Sequence, residues 1–467
     1  MSVPGPIREA HAHLFAYGQA LSMPSLEGCT GVAQCLDAVR EAVARAIPHD
    51  GVRAVRLHSA RVESWADQRW PTLDELDAAS GGALVAIMSF DHHSAMANTP
   101  ALDRAGLRPG VPVPPHGVVC ADRDGRATGL LLEHAAYAAW SAFPEPRAEE
   151  RRSIVSAALD ALLAMGYREV HDLHSQEWLG PLLRRMDMEG DLPIRVVLYP
   201  NVSIIDRVAA VAGAWKTRRV ALGGAKLFSD GTLNSRTALM LHRYAEPLAD
   251  MPRGRCMASP AEVEAAVRTA AGLGLGLAVH AIGDGAVRMV LDSVQRLGPA
   301  CPRGTVRLEH CELIDRADVP RFAALGVTCS VQPCHLLADV EALNRYVPHR
   351  LDRVLPLREL LSSGLEPGVV GTPDNARAGL VFGSDVPIVR ADPEDSIRAA
   401  VERRRAGDSE PVAPDQAITR EQAWACFGLG SDFNATGSRG TGAVAQDAGQ
   451  ESVQDADWET ETGEERP

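Results

Sequence analysis

Two histidines one residue apart stand near the start of the chain, His11 and His13 in Glu9-Ala10-His11-Ala12-His13-Leu14. Alternate side chains of a β-strand share a face, so this spacing aims both imidazoles at one point. Lys226, His280, His310 and Asp385 each lie at or near the end of a short apolar segment further along. Neutral imidazole and carboxylate are ligands that zinc, manganese and iron(II) accept. Four histidines and one aspartate can hold two such ions if a further group bridges them. A lysine ammonium cannot bridge, but its carbamate, formed with CO2, offers two oxygens and a negative charge. Two flanking cations would stabilise that anion, which accounts for a lysine in a ring of metal ligands.

Simpler readings compete. Lys226 could pair with Asp230, and His11 with His13 could be a surface pair. His171 and His174, with Asp172 between them, form a rival cluster. On a strand, positions i and i+3 face opposite sides, so Asp172 reads better as a buried acceptor than the two histidines read as joint ligands. Asp284 reads as a helix cap that supports the site.

The segments that must position these residues alternate in type. Short apolar stretches at 7–13, 167–172, 194–200, 220–228, 276–280, 306–310, 327–331 and 380–385 have the character of parallel strands buried on both faces. Helices with clear start signals lie between them. Ser259-Pro260-Ala261-Glu262 is a capping box with proline at the first helical position, Asp392-Pro393 opens another helix, and Thr419 with Gln422 a last one. This alternation fits either a closed barrel or an open doubly wound sheet. Placing the candidate residues at the strand ends favours a TIM-type (β/α)8 barrel, whose active sites are built on that rim.

Residues 51–146 interrupt the rhythm as a long insertion after the first strand, with strand-like pieces at 52–57 and 84–89 and a hairpin near 122–125. It reads as an elaborated loop over the pocket, without a second core. The domain is expected to span 1–427, followed by an acidic, solvated, disordered tail over 428–467. From Asp447 to Pro467 there are eight acidic residues and one basic one.

The whole chain has 467 residues and a formal net charge of −14, which argues against a nucleic-acid partner. No apolar run reaches about eighteen residues, so no membrane span is expected. The first residues lack the pattern of a signal peptide. Nine irregularly spaced cysteines do not form a disulfide framework, and a reducing cytoplasm is the natural location. The expected partner is a small-molecule substrate, with homo-oligomer formation left open.

The stretches EAHAHL, DHHSAMANTPAL, AKLFSDGTLNSRTAL, AVHAIGDGAV, RLEHCELID, SVQPCH and FGSDVPI follow one another over residues 7–427. In this order they resemble the amidohydrolase superfamily, and more narrowly amidohydrolase family 3, which includes deformylases of N-substituted formamides. The resemblance implies hydrolysis of a non-peptide C–N bond by a metal-activated water. It implies that His11, His13 and Asp385 bind one metal, His280 and His310 a second, and a carboxylated Lys226 bridges them. Zinc is the expected ion, one or two per chain, and Asp385 the catalytic proton acceptor. His335, His93 and Asn98 are candidate substrate residues, and Gly383-Ser384 reads as room for substrate beside Asp385.

The chain departs from the family pattern in two ways. The flanking β-sandwich of many members is expected to be missing, and Val386 stands where an aromatic residue is frequent. A phosphotriesterase or lactonase activity, or a non-catalytic metal-binding descendant, are the alternative functions.

Overall fold

The computed structural model describes residues 5–48, 51–108, 110–115 and 117–429, so the expected acidic tail lies outside the described residues. β1 (Ile7–Ala12) is buried at every position. The inserted segment contributes β2 (Ala54–Ala60), β3 (Leu84–Ser89), β4 (Ser94–Ala97), β5 (Val118–Ala121) and β6 (Ala127–Leu132). There follow β7 (Tyr167–Ser175), β8 (Arg195–Pro200), β9 (Val220–Leu222), β10 (Gly224–Phe228), β11 (Gly276–Ala281) and β12 (Val306–His310). β13 (Thr328–Val331), β14 (Glu366–Pro367) and β15 (Gly379–Phe382) complete the strands. Each of the eight anticipated segments contains a strand, and the fourth is split at Gly223. A Cβ there would stand 2.6 Å from Val197 Cγ1 and 2.7 Å from the Tyr199 ring, so the break lets a glycine pass those side chains.

These strands form two parallel sheets, β1-β7-β8-β9 and β10-β11-β12-β13-β15-β14. An isolated parallel bridge joins Asn201, just after β8, to Lys226 in β10, and another joins Ala12 in β1 to Val386, beyond β15. At the second junction Asp385 N donates to His11 O (2.7 Å) and His13 N to Val386 O (2.9 Å). Helices Ala148–Ala164, Leu179–Glu189, Ile205–Trp215, Pro260–Gly272, Asp284–Leu297 and Pro393–Glu402 alternate with the strands. Their apolar faces pack with the strands into one continuous core that includes Leu159, Leu183, Val208, Val263, Leu291 and Ile397. Full burial of each such side chain is worth roughly 1.5–3 kcal/mol before conformational entropy is charged against it.

The caps at Ser259, Asp392 and Thr419 form as expected. Asp284 does not cap its helix: Gly283 is the N-cap, and Asp284 occupies the first turn. Its carboxylate accepts from Leu241 N (2.8 Å) and Arg350 Nη2 (2.5 Å), tying a loop to the helix start.

The insertion is more than a loop. It builds its own five-stranded sheet in the order β2-β3-β4-β6-β5. Along β3 the side chains alternate between two apolar clusters separate from the main core. Val85 and Ile87 pack with Leu57, Trp65 and Leu76, whereas Leu84, Ala86 and Met88 pack with Leu102, Leu131 and Ala136. The β5–β6 hairpin turns where expected, with Asp122 Oδ1 accepting from Asp124 N and Arg126 N.

Candidate metal centre and its pocket

His11, His13, Lys226, His280, His310 and Asp385 line one cavity. Asp385 is their meeting point. Its Oδ1 lies 2.9 Å from His13 Nε2 and 3.3 Å from His11 Nε2, and its Oδ2 lies 3.9 Å from His310 Nδ1. The His310 ring centre is 4.8 Å from that of His11 and 4.4 Å from that of His280. Two of these residues sit in left-handed backbone, His310 at φ 70° and Asp385 at φ 64°. Non-glycine residues hold such angles at a cost of order 1–3 kcal/mol, and the neighbouring hydrogen bonds impose them here.

The donor atoms suit a divalent cation. His11 Nε2, His310 Nδ1 and Lys226 Nζ are buried without a hydrogen-bond partner. Leaving a buried polar atom unpaired typically costs about 1–3 kcal/mol, so several in one place are a specialised arrangement. Burial pushes His11 down to about 4 and His280 and His310 well below the usual range, which leaves the imidazoles neutral, as ligation requires. Burial also opposes the charge of Asp385, but His11, His13 and His310 hold it ionised, well below the carboxylate range. Burial lowers Lys226 to about 8. Lys226 is not paired with Asp230, whose carboxylate accepts from Leu239 N, Ile282 N and Gly283 N.

Behind the ring lies a charged scaffold that sequence reasoning did not single out. Glu309 Oε2 accepts from His11 Nδ1 at 2.7 Å. Arg307, two residues earlier on the same strand face, donates to Glu309, to Ala10 O (2.7 Å) and to Ser330 Oγ (2.8 Å). The available signal was two charged residues at period two inside an apolar strand. Glu9 Oε1 accepts from His11 N (3.0 Å) and Ser384 N (2.8 Å), stapling β1 to the segment after β15. Gly383 serves this approach rather than making room for substrate: a Cβ there would fall 2.5 Å from His11 N.

The remaining candidates separate. His335 lines the cavity, with Nε2 3.2 Å from Ser384 O and Nδ1 3.5 Å from Glu312. His93 also lines it, and its Nδ1 meets Glu133 Oε2 at 2.6 Å. Glu133 Oε1 accepts from Thr237 Oγ1 (2.5 Å), so this carboxylate fastens the insertion to the segment after β10. Thr232 Oγ1 adds a second tie to Asp91 (3.1 Å).

Asn98 does not reach the cavity. It is fully buried as the N-cap of helix Thr99–Ala105, accepting from Ala101 N and Val85 N and donating to Ser80 Oγ and Ala83 O. With these bonds made, its side chain has little left to offer a substrate. His171 and His174 part as their spacing requires. His171 turns to Glu169 and Arg307 behind the site, and His174 lines the cavity with Asp172.

Comparison with known proteins agrees with this arrangement. The profile of the amidohydrolase family matches residues 3–433. Protein LONG AFTER FAR-RED 3 of Arabidopsis thaliana is 28% identical over 422 residues, covering 86% of this chain and 68% of that protein. N-substituted formamide deformylase of Arthrobacter pascens is 26% identical over 447 residues, covering 90% of this chain and 77% of the relative. An uncharacterized metal-dependent hydrolase from Pyrococcus horikoshii OT3 superposes with a TM-score of 0.67 at 25% identity, covering 90% of this chain and 78% of that one. Among the described residues no helix is long and apolar enough to cross a membrane.

Proposed function

This chain belongs to the amidohydrolase family, and we propose that it hydrolyses a non-peptide C–N bond of a small amide, a formamide among the first to test. The observation that carries this reading is the convergence of His11, His13, His310 and Asp385 around one point, with His11 Nε2 and His310 Nδ1 buried and unpaired. The bridges Asn201–Lys226 and Ala12–Val386 support a closed (β/α)8 barrel with this ring at its mouth.

His11, His13 and Asp385 would hold one divalent ion, with zinc the best match to imidazole and carboxylate donors, and His280 and His310 a second. Such ions supply Lewis acidity, which makes water nucleophilic near neutral pH and polarises a carbonyl. Lys226 joins the ligand set once its neutral amine adds to CO2, losing a proton and gaining a carbamate. The downward pull of burial on Lys226 favours the neutral amine that this addition needs.

Asp385 takes the proton from the attacking water and delivers it to the leaving nitrogen. His93, fixed by Glu133, stands over the His280 ring at 5.9 Å and faces the substrate from the insertion side. The odd number and irregular spacing of the nine cysteines favour a reducing compartment such as the cytoplasm.

The test is a substrate screen on purified protein with metal content measured in parallel. Turnover of formamides or other small amides, lost on chelation and restored by zinc, supports the proposal. Turnover confined to lactones or organophosphates would replace it with the esterase-type reading.

A further inference from the structure

The insertion brings to the cavity one imidazole whose outer nitrogen is left for an occupant. His93 lines the cavity, and its Nδ1 meets Glu133 Oε2 at 2.6 Å. Its Nε2 has no hydrogen-bond partner among the described residues, yet it is not sealed in the interior as His11 Nε2 is, so it opens into the space that the ring lines.

Glu133 is built to hold that ring. It follows β6 at φ 53° and ψ −130°, a backbone conformation that carries strain for a residue other than glycine. Its N–H donates to His93 O (2.8 Å), and its Oε1 accepts from Thr237 Oγ1 (2.5 Å). Gly231 leaves room for this contact: a Cβ there would fall 2.1 Å from Thr237 Oγ1 and 2.7 Å from Glu133 Oε1. The carbonyl of the same Gly231 accepts from His280 Nε2 at 3.1 Å. One loop after β10 thus sets the place of both His280 and His93.

The partners also give the ring its charge. His11 too has a carboxylate on Nδ1, but there Glu309 is shared with the Arg307 guanidinium. Among the described residues no lysine or arginine pairs with Glu133, and a hydroxyl is its other side-chain partner. A buried carboxylate needs a cation beside it, and His93 is the group in reach. With Nδ1–H given to Glu133, the imidazolium presents Nε2–H to the cavity. Two histidines whose carboxylates are differently engaged take different roles, His11 as ligand and His93 as donor.

We propose that His93 donates Nε2–H to the carbonyl oxygen of the scissile group as negative charge develops on it, and that Glu133, seated on Thr237, is the positioning residue for this donor. A hydrogen bond aimed at the oxygen in its charged form stabilises the transition state more than the ground state. No proton changes hands in this contact, so the proton path through Asp385 is unaffected. The inference rests on the amidohydrolase reading for the bond that is cut, and on the His93–Glu133–Thr237 geometry for the donor.

Two measurements test it, one of them without turnover. Zinc-loaded protein is titrated calorimetrically with benzylphosphinate, a tetrahedral anion that mimics the hydrated carbonyl and cannot be hydrolysed as an amide. His93→Ala should bind it about tenfold or more weakly, the loss of one charge-assisted hydrogen bond. His93→Gln, whose amide nitrogen can reach the place of Nε2, should recover part of that affinity. Glu133→Gln separates positioning from simple charge, because it removes a negative charge from the wall of an anion site. Bulk electrostatics would then strengthen binding, whereas loss of the oriented, charged His93 weakens it.

The second measurement is steady-state kinetics with N-benzylformamide, with Tm recorded on each variant. His93→Ala should lose about 10²–10³-fold in kcat with KM little changed, and Glu133→Gln should lose less, again in kcat. If phosphinate binding responds in this way while no formamide is cut, the reading of the reaction fails and the donor stands. Unchanged phosphinate affinity in His93→Ala, tighter binding in Glu133→Gln, or a kinetic change confined to KM overturns the donor.

Discussion

Glu309 and His11, 298 residues apart in the chain, share a 2.7 Å hydrogen bond at the floor of the pocket, and both side chains are completely buried. The bond commits His11 Nδ1 to the carboxylate, so the lone pair on Nε2 faces Asp385 Oδ1, 3.3 Å away. A carboxylate on the remote nitrogen orients a ligating histidine and raises its basicity. Arg307 keeps the carboxylate charged, holding Glu309 well below its usual range against the effect of burial.

Glu309→Gln should therefore fold normally and bind metal about 10- to 100-fold more weakly. Competition against a chelator of known affinity, with circular dichroism on the same sample, checks this. Unchanged metal affinity would mean that the bond does not orient His11 for ligation.

Lys226→Ala removes the amine that could carry a carbamate. Metal content is expected to fall from about two per chain to one or none, and added short carboxylates should restore part of the activity. Elemental analysis and a rescue titration with formate, acetate and propionate provide the readouts. A variant with full metal and full turnover would show that the lysine does not bridge.

Asp385→Asn retains the side-chain shape and one ligand oxygen but cannot take up a proton. The variant should keep at least one metal and lose about 10²–10⁴-fold in kcat. Metal must be quantified on the preparation used for kinetics. Should the loaded variant turn over at nearly the wild-type rate, another base acts. His335, whose Nε2 is 3.9 Å from Asp385 Oδ2, is then the next residue to substitute.

Asn98 and His93 lie in the same inserted segment but should respond oppositely. Asn98→Ala removes a helix cap and several buried hydrogen bonds, at a cost on the order of 2–3 kcal/mol, visible as a lower Tm. Its kcat/KM per folded molecule should be close to wild type. His93→Ala should hold its Tm within a few degrees and lose kcat/KM, since its ring lines the cavity. A loss of turnover in Asn98→Ala without loss of stability would return that residue to the substrate site.

Much of this architecture is local in origin, and for that reason it was legible before the fold. Short apolar runs, capping boxes and the His11–His13 spacing are patterns of a few residues, set by backbone periodicity and by the unpaired amides of helix ends. Asn98, expected to contact substrate, instead starts a helix, a role that Asn98-Thr99-Pro100 encodes locally, and its bonds to Val85, Ser80 and Ala83 turn it away from the cavity. Asp284 was misread in the opposite direction, as a cap, although its partners lie at Leu241 and Arg350.

The insertion's strand pieces and hairpin were legible, but not their joining into one sheet with its own apolar clusters. β3 is apolar on both faces, so its alternation between two clusters leaves no polar–apolar rhythm to read. The amino-acid sequence by itself determined the alternation of strands and helices, the set of ligand types and the family resemblance. Tertiary structure alone decided which carboxylate steadies which group: Glu309 for His11, Glu133 for His93 and Thr237, Asp230 for three backbone amides. Such pairs form wherever desolvation leaves a charge with a single available partner, and that partner can lie hundreds of residues away, where no local pattern records it.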